Sequence, residues 1–199
     1  MAERPAAAAG TRGGVESGVI GMVLFLFTEA MIFAALISAF LVLKTRAVAW
    51  PPPGQPRLPV AVTGVNTLVL LASAYTMIRA VGVLRSGSDG AARWLAATAG
   101  LGVLFLAVQG FEWARLLGFG LTGAASVYGA TFYAIVGIHA LHVLAAVIVL
   151  WVSLGRTRSG RYTSGGHTGL VVCRMYWVFV VAVWPILYAL LYQPWSGRG

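Results

Sequence analysis

Five runs of apolar residues, roughly Gly18 to Leu43, Leu58 to Leu84, Arg93 to Leu117, Tyr128 to Leu154 and Gly169 to Tyr192, dominate the chain. A helix rises about 1.5 Å per residue and the hydrocarbon core of a bilayer is about 30 Å thick, so each run is long enough to span as a helix. The connectors carry the helix breakers: Trp50-Pro51-Pro52-Pro53-Gly54, then Ser86-Gly87-Ser88-Asp89-Gly90, then Gly118 to Ser126, then Arg156 to His167. No strand alternation and no internal repeat is visible. In hydrocarbon a helix satisfies its own backbone polar groups, so the expected fold class is all-α, a polytopic membrane protein with a bundle of five transmembrane helices. Residues 1–17 read as a mobile N-terminal tail, 18–195 as the membrane domain and 196–199 as a short C-terminal tail.

Composition excludes the alternatives. With 59% hydrophobic and 10% charged residues, the 199-residue chain cannot be an ordinary soluble domain. A net charge of +9 would suggest nucleic acid in a soluble chain, but here the basic residues sit almost wholly between or at the ends of the apolar runs, which fits orientation and lipid head groups and not nucleic acid. Cys173 is the single cysteine, so a disulfide within the chain and a cysteine-rich metal site are both excluded. A cleavable signal peptide is not expected, because the first apolar run is of full membrane length and ends without a small-residue cleavage site.

Counting Lys and Arg tests the orientation. Five spans place the tail with the second and fourth loops, and that side holds Arg4, Arg12, Arg79, Arg85, Arg93, Arg156, Arg158, Arg161 and Arg174. The other side holds Lys44, Arg46, Arg57, Arg115 and Arg198. The excess predicts a cytoplasmic N-terminus and an outer C-terminus. Trp50, Trp94, Trp113, Tyr128, Trp151, Tyr192 and Trp195 fall near span ends, where interfacial aromatics belong.

Glu29 is the costliest residue in the chain. It lies roughly 16 Å in from Gly18, near the bilayer centre. A lone carboxylate there is expensive, so the group takes up a proton, finds a partner, or faces a cavity lined by protein or water. Its neighbours Thr28 and Met31 supply a hydroxyl and a soft filler but no cation. A protonated Glu that only hydrogen-bonds a neighbouring helix is the plain alternative to a functional role.

Other polar residues follow the same logic. Asn66, Thr67 and Ser73 in the second span suit hydrogen bonds that hold helices together. In Gln109-Gly110-Phe111-Glu112-Trp113-Ala114-Arg115, Gln109, Glu112 and Arg115 form one row at a spacing of three; an ion pair of Glu112 with Arg115 and the docking of a partner subunit are both open readings. His139 and His142 stand at i and i+3 near the bilayer centre. Two ligands on one side of one helix cannot sandwich a haem, His167 lies in a loop and Cys173 at the cytoplasmic end of the fifth span, so no coordination shell is expected and neutral, helix-bridging histidines fit better. Pro185 removes one backbone hydrogen bond from the fifth span and is expected to kink it. No nucleophile and base at usable spacing and no phosphate-binding loop is present.

Taken together, six stretches in order resemble subunit III of the haem-copper respiratory oxidases, the cytochrome c and quinol oxidase family. The likeness covers about residues 18 to 195. The family's opening Gly-Met-x-Leu-Phe and Ser/Thr-Glu resemble Gly21-Met22-Val23-Leu24-Phe25 and Thr28-Glu29; its Trp-Pro-Pro loop resembles Trp50-Pro51-Pro52. Its Leu-Asn-Thr and Leu-Leu-x-Ser are similar to Val65-Asn66-Thr67 and Leu70-Leu71-Ala72-Ser73, and its Gln-x-x-Glu-aromatic segment to Gln109 through Trp113. Its Tyr-Gly-x-x-Phe-aromatic and Gly-x-His-x-Leu-His-Val runs match Tyr128 through Tyr133 and Gly137 through Val143.

The resemblance implies an accessory core subunit of a proton-translocating terminal oxidase that reduces oxygen to water. Such a subunit carries no redox centre, with haem and copper in partner subunits; it packs directly on subunit I, neighbours subunit II and a subunit IV where one exists, and binds phospholipid in the plasma membrane of a bacterium. The buried Glu that matches Glu29 lies beside a lipid-filled cleft and sustains proton uptake into the partner. Two departures stand out: the first two of the seven spans of the longer form are missing, as in five-span bacterial members, and the family's Tyr-Trp-His-Phe-Val-Asp reads Tyr176-Trp177-Val178-Phe179-Val180-Val181. The altered fifth span motivates a second reading, an accessory subunit of a nitric oxide reductase. A third is an independent transporter or proton channel with Glu29, His139 and His142 as its relay.

Overall fold

The computed structural model describes residues 7–56, 58–124, 126–163 and 166–192, with residues 7–16 given by their backbone alone. Residues 1–6 of the expected tail, the C-terminal tail 196–199, Trp195, and the positions of Arg4, Arg57 and Arg198 lie outside the described residues, as do the side chains of Arg12 and Glu16. Five helices follow one another: α1 (Ala7–Arg46), α2 (Val60–Arg85), α3 (Ala91–Gly118), α4 (Val127–Arg158) and α5 (Thr168–Leu191). No strand occurs among the described residues. All five are long and apolar enough to cross a membrane, α1 through its segment Ser17–Arg46. Helix α1 begins at Ala7, well before the apolar run opens at Gly18.

The ends of α2, α3 and α4 are set by glycine. Gly87, Gly120 and Gly160 each take a positive φ just past the last helical turn, a conformation that costs glycine nothing. There the chain reverses and the next amide reaches back: Ser88 N–H donates to Val83 O, Leu121 to Leu116 and Arg161 to Arg156, at 3.0 to 3.2 Å. These bonds satisfy carbonyls that the helix end would leave bare. At its start, α4 is capped by the Ser126 hydroxyl, which accepts from Gly129 N–H at 3.0 Å.

Helices α2, α3, α4 and α5 pack as a closed four-membered ring, with α2 against α3 and α5, and α4 against α3 and α5. Two tryptophans of α5 fill its middle. Trp177 and Trp184 are fully buried, and each indole N–H, which needs an acceptor in an apolar interior, finds a hydroxyl on α2: Trp177 Nε1 donates to Ser73 Oγ at 3.2 Å and Trp184 Nε1 to Thr67 Oγ1 at 2.9 Å. Gly102 makes room for this on α3, since a Cβ there would stand 2.6 Å from the Trp177 ring. Helix α5 is continuous through Pro185, which leaves the Val181 carbonyl without its usual amide donor.

Helix α1 lies outside the ring, mainly on α5 with a smaller contact on α4. Of its most apolar stretch only 11% is buried, against 33 to 39% in the other four helices. Its buried positions form one narrow stripe, Glu29, Phe33 and Phe40, spaced by four and seven residues as one helix face requires. Beyond the C-terminal end of α1 the first loop folds back, and Trp50 sets its ring edge-on between Phe40 and Tyr128, with centroids 5.6 and 5.2 Å away.

Candidate functional site

The stripe of α1 that meets the bundle carries Glu29, and its carboxylate lands on α4. Glu29 Oε2 lies 2.7 Å from His142 Nε2. Both side chains are largely buried, 11% exposed for Glu29 and 19% for His142. His142 Nδ1 is 2.7 Å from the Ile138 carbonyl, which can only accept, so Nδ1 carries a proton. A single proton is then left to lie between Nε2 and Oε2. If the carboxyl holds it, both groups are neutral; if the ring holds it, they form an ion pair. The sum of charge is zero either way, and that is what makes a carboxyl group tolerable at this depth. Phe33 covers the imidazole edge at 5.2 Å, and the Tyr176 hydroxyl of α5 reaches the His142 carbonyl at 3.5 Å.

The remaining residues singled out in the sequence go elsewhere. Thr28 is exposed and its hydroxyl donates to Phe25 O of its own helix at 2.7 Å, so it does not touch Glu29. His139, one turn before His142, stacks on Trp184 with centroids 4.9 Å apart and has no hydrogen-bond partner at either ring nitrogen. The two imidazoles therefore diverge: positions three apart on a helix differ by about 60° around its axis, enough to send one toward α1 and the other toward α5. Asn66 Nδ2 donates to Phe105 O of α3 at 3.1 Å, and Gln109 Nε2 to the Tyr192 hydroxyl at 3.1 Å. Glu112 pairs with Arg115 at 3.2 Å; the carboxylate is buried and the guanidinium half-exposed. Val181 is in the buried core and Val178 faces an outer groove beside Leu26 and Arg174. An Asp at position 181 would need a polar partner there.

His142, and not His139, as the partner of Glu29 is the point that sequence reasoning did not resolve. The two residues stand 113 positions apart, and the only local signal was that each was a costly polar group at the same depth.

An apolar groove runs beside this pair between α1 and α5. Ala30, Phe33, Ala34, Phe179, Ala182 and Ile186 line its middle, with about 330 Å³ of space. Arg174 stands in the pocket near one end, and Lys44 and Thr45 in the pocket at the other.

Residues 7–197 match the family described as Cytochrome c oxidase subunit III. The chain belongs to that family. A Synechocystis relative called cytochrome c oxidase subunit 3 is 35% identical over 190 residues, which cover 94% of this chain and 80% of the relative. A probable cytochrome c oxidase subunit 3 of Mycobacterium leprae is 35% identical over 175 residues, 87% of this chain and 86% of its own length. The cytochrome c oxidase subunit 3 of Branchiostoma lanceolatum is 39% identical over 184 residues, 89% of this chain but 68% of that longer protein. Membership of the subunit III family agrees with the five apolar helices and with a multi-pass membrane protein. The nitric oxide reductase and solitary-channel readings gain no support from these relatives.

Proposed function

We propose that this chain is the accessory subunit III of a haem-copper terminal oxidase, seated in a bacterial plasma membrane with its N-terminus in the cytoplasm. It packs on subunit I, with subunit II and, where one exists, subunit IV nearby, and leaves electron transfer, haem and copper to them. The Glu29–His142 pair carries this reading. It stores one proton between two side chains without net charge, in a helix that lies loosely at the edge of the bundle. Such a pair can pass a proton to a neighbour and be refilled, whereas a lone carboxylate could not persist there.

Phospholipid fits the groove between α1 and α5. Small alanines at Ala30, Ala34 and Ala182 leave an acyl-sized trough, and Arg174 and Lys44 supply cations at its ends that suit anionic head groups. The nine-to-five excess of Lys and Arg on the side of the tail supports the orientation.

Purification in mild detergent through a C-terminal tag tests the assignment. A haem-bearing polypeptide with oxygen-reducing activity and bound phospholipid is expected to come with the chain; recovery of the chain alone, free of pigment, overturns it.

A further inference from the structure

A second polar site lies between α3 and α4, apart from Glu29. Phe105, Gln109, Trp113, His139 and Trp184 line a cavity of about 80 Å³. His139 is 1% exposed, yet neither ring nitrogen meets a partner. An imidazole left bare in an apolar interior carries the full penalty of lost hydration. The lining holds no second histidine, no cysteine and no carboxylate, so a cation finds no shell there. What the nitrogens lack is a small molecule that both donates and accepts.

We infer that this cavity is a hydration site, in which water hydrogen-bonds the His139 ring and the Gln109 amide. The space suffices: a water needs roughly 10–15 Å³ and two to four polar partners. Trp113 stands five residues before the end of α3 at Gly118, about 8 Å along the axis, whereas His139 is about 18 Å into α4 from Val127. The cavity thus spans the depth between His139 and Trp113, which stands near the end of the bundle that holds Glu112 and Arg115. Gly110 is exposed on its flank and Ala140 half-buried, so small residues guard the opening. The result is a wet imidazole near mid-membrane on the same helix as His142, reached from the side away from α1. This inference does not depend on a protonic role for Glu29.

Two measurements on the full chain, in lipid nanodiscs with the subunits that accompany it, decide the matter. A density map that resolves water is expected to show it within hydrogen-bond distance of His139; a dry cavity, an acyl chain, or a neighbouring subunit's side chain bonded to His139 overturns the inference. Radiolytic labelling in ¹⁸O water is expected to oxidise His139 severalfold faster than in a Gly110→Leu variant, whose added Cβ meets no atom within 4 Å and whose side chain lies across the opening. Trp177, dry and bonded to Ser73, should label equally slowly in both. Equal rates at His139 in the two proteins overturn the inference as well.

Discussion

Glu29 and His142 meet at 2.7 Å across the contact between α1 and α4, and the Ile138 carbonyl behind the ring takes up the other imidazole nitrogen at 2.7 Å. Glu29→Gln keeps the shape and can still hydrogen-bond Nε2, but it has no acidic proton to give. Assembly is expected to survive. Proton uptake by the complex should slow, or its turnover decline faster, as read by pH-indicator traces and oxygen consumption over successive turnovers. Unchanged uptake and lifetime in a fully assembled variant would remove the protonic role. Glu29→Lys should impair insertion or assembly outright.

The same pair predicts a particular pattern of stability. Glu29→Leu or His142→Leu alone strands a buried polar partner and should cost about 3 kcal/mol, whereas the double variant strands nothing and should recover most of that loss. Thermal unfolding of the purified complex, run as a double-mutant cycle, measures the coupling. Additive losses would mean that the two side chains do not interact in the membrane.

Gly102 tests the centre of the ring. A Cβ at this position would stand 2.6 Å from the Trp177 ring and 3.0 Å from Val147, and a buried tryptophan cannot retreat. Gly102→Ala should destabilise by about 1–3 kcal/mol through overpacking. Gly100→Ala, where nothing lies within 4 Å, is the matched control and should be neutral or slightly stabilising as helix propensity improves. Equal melting temperatures for both variants would refute the close contact.

Glu112 and Arg115 distinguish two readings that the sequence left open. Their ion pair spans one turn and the guanidinium is half-exposed, so its own contribution is about 0.5 kcal/mol. An Arg115→Gln variant should therefore leave the chain folded. If it nonetheless releases the chain from its companions in a co-purification assay, the exposed Arg115 guanidinium docks a partner; full retention leaves the ion pair as its whole role.

Much of this protein is legible along the chain because membrane insertion is governed by local quantities. Runs of apolar residues long enough to cross hydrocarbon specify five helices, and Gly87, Gly120 and Gly160 mark three of their ends, since only glycine enters the left-handed turn without strain. The cost of Glu29 was visible in the same way, as was the suitability of Thr67 and Ser73 for bonds between helices. Local quantities say less about where a helix starts. Helix α1 runs back to Ala7, because helix length is not limited to the apolar stretch that must sit in the membrane.

Which side chains meet is another matter. His139 and His142 look equivalent in sequence, but one stacks against Trp184 and the other bonds Glu29. A rotation of about 60° on one helix, combined with the placement of α1 and α5 around it, separates their fates. In hydrocarbon every apolar face is equally content against lipid or protein, so the sequence determined five spans, their order and their costly polar groups. Only close packing among the helices decided that α1 lies outside the ring and that its carboxyl group ends on His142.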